Sequence, residues 1–264
     1  MRRLRDENRL YRNVFLGLIV ALIVLYGVNI FITSKIISPL KSEKERSANL
    51  HLTLITTDCD NCFDMNNIVS FIKRQTNVKV LTEKNLTYGN KEAQQLISKN
   101  NIKVLPALVI TGETLQDDVI PLWNNIGAEF VGNVVIVSGY PPYYSLETKN
   151  VVGLVQVIKI TDNSCAECYN VENHMQILPR FGVYIDKSLT YDISSSNGKD
   201  LLKKYNITKV PTIILSPDIS VYPALTRIWN QVGTVESDGW YVFRATEQMG
   251  TYKDLTQNKV VNVT

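Results

Sequence analysis

Cysteine is scarce in this chain of 264 residues: there are four, all fall in two Cys-x-x-Cys motifs, and none is left over for a separate structural bridge. Histidine is scarcer still. His51 and His174 are the only two, too few and too far apart in sequence for a catalytic dyad or a histidine metal centre, so core or surface roles are expected for both. Beyond the first dozen residues there is no run of one charge sign, and the formal net charge is only +3. A basic stripe for nucleic acid is therefore absent, and no nucleic-acid partner is expected.

What the chain has in excess, near its start, is hydrophobicity. From Val14 to Ile32 there is no charge, and Asn29 is the one strongly polar residue. A run of that length is close to what crosses a bilayer core of roughly 30 Å at about 1.5 Å per residue. Arg2, Arg3, Arg5, Arg9 and Arg12 precede it, so the reading is a basic cytoplasmic tail (residues 1–12), a retained single-pass anchor (13–33) and a stalk (34–49). The rest of the chain is then expected outside the cytoplasm, with the lipid bilayer as one partner.

Compared with itself at an offset near 106, the remainder repeats. Cys59-Asp60-Asn61-Cys62 matches Cys165-Ala166-Glu167-Cys168, Leu96 through Pro106 matches Leu201 through Pro211, and Trp123-Asn124 matches Trp229-Asn230. Two units are expected, residues 50–150 and 151–264. In each, a β-branched apolar strand (Leu52 to Thr56; Leu154 to Ile160) precedes the cysteine motif, the motif opens a helix, and a short strand, a second helix and a third strand follow. That order predicts α/β units with helices on the faces of a sheet. The recurring tryptophans are read as packing anchors.

A thiol at a helix N-terminus has its thiolate stabilised by the dipole and by unpaired N–H groups, and a second cysteine three positions on can resolve a mixed disulfide. Cys59 and Cys165 are assigned to attack, Cys62 and Cys168 to resolution. The acids Asp58, Asp60 and Glu167 oppose thiolate formation and favour the disulfide.

A strand, a Cys-x-x-Cys at a helix start, and an apolar residue followed by proline 43 or 44 positions later resemble the thioredoxin-like superfamily, here twice over. The tandem arrangement is similar to two-unit protein disulfide oxidoreductases and, more distantly, protein disulfide isomerases. The resemblance implies two tandem thioredoxin-like three-layer sandwiches after the N-terminal transmembrane helix. It further implies cis prolines at Pro106 and Pro211, and substrate binding through the backbone of Leu105 and Val210. No dissociable cofactor and no metal are implied; the implied partners are cysteine-containing polypeptides and a membrane redox protein. The chain departs from the family pattern in three ways: no tryptophan precedes either motif, the intervening pairs Asp60-Asn61 and Ala166-Glu167 are neither the Gly-Pro nor the Gly-His of familiar members, and the position six before the first cysteine, often a buried acid, is Thr53 in one unit and Lys159 in the other. Two alternatives stand beside this reading. One is a substrate-binding or chaperone module with secondary redox chemistry. The other is a four-cysteine zinc site, opposed by the 102 residues between the motifs.

Overall fold

The computed structural model describes residues 21–33 and 46–263. The described residues are mixed α/β with four sheets, two of five strands and two of three. The first half runs β1 (Ala48–Thr56), α1 (Asn66–Lys73), β2 (Val78–Thr87), α2 (Lys91–Lys99), β3 (Val104–Leu105), β4 (Ala107–Gly112), α3 (Ile120–Asn125), β5 (Glu129–Val131), β6 (Val134–Ser138), β7 (Tyr143–Ser145) and β8 (Val151–Val152). The second half runs β9 (Val155–Thr161), α4 (Asn173–Ile177), β10 (Ile185–Asp192), α5 (Ser196–Lys204), β11 (Lys209–Val210), β12 (Thr212–Leu215), α6 (Pro223–Trp229), β13 (Gly233–Val235), β14 (Tyr241–Phe243), β15 (Tyr252–Asp254) and β16 (Lys259–Val261).

The large sheets share one order, β2-β1-β4-β6-β5 and β10-β9-β12-β14-β13. In each, the first two strands of the chain pair in parallel and the other neighbours are antiparallel. The small sheets, β3-β7-β8 and β11-β15-β16, arise because Pro106 and Pro211 interrupt what would otherwise be one strand. Proline has no N–H to give a ladder, so the residues before it leave the main sheet and pair elsewhere.

Alternation along β1 sends Leu50, Leu52 and Leu54 to one face, where they pack with Val69 and Ile72 of α1 and Leu122 and Trp123 of α3. Ile55 goes to the other face with Val109, Ile136 and Ala93 of α2. The second half repeats this, with Val155 and Val157 against Val171, Leu225 and Trp229, and Ile158 and Ile160 against Tyr205 and Ile207. The two recurring tryptophans are buried and donate to backbone carbonyls, Trp123 to Thr114 and Trp229 to Thr234. Strand β2 is longer than the short strand expected, and its exposed Glu83 and Lys84 pair with Lys73 and Glu92.

The expected membrane anchor is corrected here. Among the described residues no helix is long and apolar enough to cross a membrane. Residues 21–32 are helical and exposed. The single-pass placement, the extracytoplasmic assignment and the bilayer as partner lose their support with it. The fold class expected, paired sandwiches behind a transmembrane helix, is replaced by mixed α/β with four sheets. Residues 1–20, which include the basic tail and the start of the apolar run, and residues 34–45 of the stalk lie outside the described residues.

Candidate active site

Each Cys-x-x-Cys follows the C-terminal end of the strand next to the centre of its sheet, β1 or β9. Cys59–Cys62 and Cys165–Cys168 are both closed disulfides, with S–S distances of 1.97 and 2.05 Å. All four cysteines are half-buried. The motifs do not open regular helices as the sequence reading expected. They form turns, with Cys62 N–H donating to Cys59 O and Cys168 N–H to Cys165 O, each at 3.4 Å. Helix α1 begins only at Asn66, whose N–H is taken by the Asp64 side chain, and α4 only at Asn173. A helix dipole acts within its first turn, so its hold on the attacking sulfurs is weaker than the spacing implied.

The two expected prolines are cis: Leu105-Pro106 and Val210-Pro211, with a third cis bond at Pro141-Pro142. Pro106 joins Cys59, Cys62, Leu54, Phe63 and Met65 around a cavity of about 210 Å³. Leu105 and Val210 are fully buried, and neither leaves its backbone open. Leu105 stands opposite Tyr144 of β7 and Val210 opposite Lys253 of β15, so the chain's own strands occupy the edges expected to receive substrate.

The same strands are tied to the cysteine motifs. The residue after each motif donates its backbone N–H to the segment leading into that strand, Phe63 to Pro142 at 2.7 Å and Tyr169 to Thr251 at 2.8 Å. Phe63 also stacks on Tyr140 with centroids 4.9 Å apart. Nothing in the spacing announced that these segments run beside the disulfides.

The two sites differ in polarity. At the second, the Tyr169 hydroxyl donates to Pro211 O at 2.7 Å, leaving the His174 Nε2–H to donate to the phenol oxygen at 3.0 Å. His174 is buried against Phe243, and burial pushes its pKa down to about 4 and that of Tyr169 up. Burial alone would raise the Asp162 carboxyl, but hydrogen bonds from Lys253 and Ser164 outweigh it and hold that group below the ordinary carboxylate range. Asp162 meets Lys253 Nζ at 2.5 Å and its carbonyl accepts from Cys165 N–H at 3.0 Å. Lys159 is buried and ion-paired with Glu172.

Register also revises an alignment made by counting back from the cysteines. Leu54 stands opposite Leu108, two residues past Pro106, and Lys159 opposite Ile213, two past Pro211. Lys159 is therefore the counterpart of Leu54, not of Thr53. The count slipped because the connection from strand to motif is one residue longer in the second half, Asp162-Asn163-Ser164 against Thr57-Asp58.

Among the described residues no group of three or more histidine, cysteine, aspartate or glutamate side chains is arranged to hold a metal ion. No protein-family model and no curated protein matches the chain. Solved structures that it resembles include the N-terminal domain of alkylhydroperoxide reductase AhpF from Enterococcus faecalis, at 11% identity over 67% of this chain and 89% of that one, with a TM-score of 0.22. ERdj5 in its crystal form II matches at 10% identity over 65% of this chain and 23% of that one, with a TM-score of 0.19. Likenesses so loose carry no argument about chemistry, and the site rests on its own geometry.

Proposed function

We propose that the chain is a thiol-disulfide oxidoreductase with two redox units, residues 50–150 and 151–264, acting on cysteine-containing polypeptides. The observation that carries this reading is that both Cys-x-x-Cys pairs are closed, half-exposed disulfides following equivalent strands. In the reducing direction the reduced pair supplies two electrons. Cys59 or Cys165, as thiolate, attacks a substrate disulfide, one substrate sulfur leaves as thiolate, and a mixed disulfide forms. Cys62 or Cys168 then attacks that bond, releases the second substrate sulfur and closes the intradomain disulfide. The reverse sequence oxidises a substrate dithiol.

Substrate contact at Leu105, Pro106, Val210 and Pro211 belongs to this proposal. With Tyr144 and Lys253 opposite Leu105 and Val210, simple addition of a substrate strand at those edges is opposed. The cavity beside Cys59, Cys62 and Pro106 offers a substrate side chain an alternative entry.

The test is a redox titration of the full chain in glutathione buffers, with alkylated thiols counted by mass. Two reversible two-thiol transitions are expected. A chain whose thiols never close within their own motif, or are protected by added zinc, would refute the reading. Exchange activity that survives intact in both Cys59→Ser and Cys165→Ser would refute the assignment of the nucleophiles.

A further inference from the structure

Lys159 is the only buried lysine among the described residues, and its place is unusual. Its neighbours two and four residues back on β9, Val157 and Val155, pack in the cluster that contains Val171 and Met175, on the side of the second cysteine motif and α4. Its ammonium reaches Glu172, the residue before α4, which confirms that face. Its counterpart in the first half, Leu54, lines the cavity shared by Cys59 and Cys62. The equivalent strand position before each motif thus carries an aliphatic side chain in the first half and a lysine in the second.

The charges around the second pair do not cancel evenly. The Lys159 side chain is 10% exposed and that of Glu172 52%, so water screens the carboxylate while the ammonium is held in the protein. Asp162 and Lys253 are both largely buried and closed on each other, a dipole rather than a net charge. Glu167, within the motif, is exposed and screened.

Resting on the oxidoreductase reading, we propose that Lys159 is a positioning residue that raises the reduction potential of Cys165–Cys168 by stabilising thiolate in the reduced pair. When an external thiolate attacks Cys165 Sγ, the intradomain S–S bond breaks, a mixed disulfide forms, and Cys168 departs with the electron pair as thiolate. A second external thiolate takes the outer sulfur, so two thiols become one disulfide and the pair becomes a dithiol. The ammonium favours the step that creates the Cys168 anion and the state that retains thiolate character, which shifts the equilibrium toward the reduced pair.

The experiment is the glutathione titration of the full chain carrying Lys159→Leu, which installs the side chain of the first half, and separately Glu172→Gln, which leaves the ammonium without its partner. Lys159→Leu is expected to lower the equilibrium constant for reduction of the second pair roughly tenfold, about 30 mV, while the first pair stays where it was. Glu172→Gln is expected to move the second pair the opposite way, which a purely structural lysine would not do. Should Lys159→Leu fail to fold, the half-exposed Glu172 position still decides the sign. If both pairs titrate reversibly but the second does not move, or moves in the same direction in both variants, the role of Lys159 is overturned. If neither pair titrates as a two-thiol unit, the oxidoreductase reading itself falls.

Discussion

Acidifying the protein from pH 7 to pH 5 should destabilise it through His174 before any carboxylate contributes. His174 is 4% exposed, and burial lowers its pKa from 6.5 to about 4. In the unfolded chain the ring gains its proton near pH 6.5; in the folded protein it stays neutral until about pH 4. A depressed native pKa means the stability is fully present above the unfolded value and is lost as pH falls through this window. The slope approaches ~1.4 kcal/mol per pH unit, which sums to about 2 kcal/mol by pH 5. The carboxylates held below their ordinary range, Asp162, Asp192 and Asp254 among them, begin to cost stability only at lower pH, so the interval from 6.5 to 5 isolates the histidine. The assay is urea unfolding at pH 7, 6 and 5 for the native chain and for His174→Phe, which keeps an aromatic ring against Phe243 but cannot titrate. The native chain should lose about 2 kcal/mol across the series and the variant much less. Equal losses in both, or none in the native chain, would refute the placement of a neutral buried imidazole.

Replacing the resolving cysteines separates the chemical steps: Cys62→Ser or Cys168→Ser should accumulate a stable mixed disulfide with a substrate thiol, visible by mass, where the unaltered motif releases it. Trp123→Ala removes a fully buried side chain and its bond to Thr114, and should cost about 3–5 kcal/mol in denaturant unfolding; a loss below 1 kcal/mol would contradict its burial. Ser195 caps α5 by accepting from Gly198 N–H at 3.0 Å, so Ser195→Ala should lower stability by about 1 kcal/mol without changing either redox midpoint.

The duplication, the two disulfide motifs and most of the strands of each half were legible in the chain, through self-similarity, alternation, punctuation by proline and cysteines three apart; the cis state of Pro106 and Pro211 was implied only by the family resemblance. Four things were misread for one reason, that each depends on distant residues or on where a local element stops. The motifs were assigned to helix starts, but Asp64 binds the Asn66 N–H and α1 begins there. Val14 to Ile32 was read as a membrane span from its apolarity, yet among the described residues no helix is long and apolar enough to cross. Leu105 and Val210 were expected to offer free edges, whereas Tyr144 and Lys253, some 40 residues later, stand against them. Lys159 was matched to Thr53 by counting, and only pairing with β12 sets it beside Leu54 as an equivalent.

From its residue order alone, then, the protein is determined to be a repeat of α/β units built around a Cys-x-x-Cys, since hydrophobic period and cysteine spacing act over a few residues. What surrounds each disulfide was decided by tertiary structure: a hairpin beside the site, a half-buried tyrosine and a buried histidine at one pair and a cavity at the other, and a lysine or a leucine at the equivalent strand position. Those features come from strand register and long-range pairing, in which a shift of one residue turns a side chain to the opposite face of the sheet.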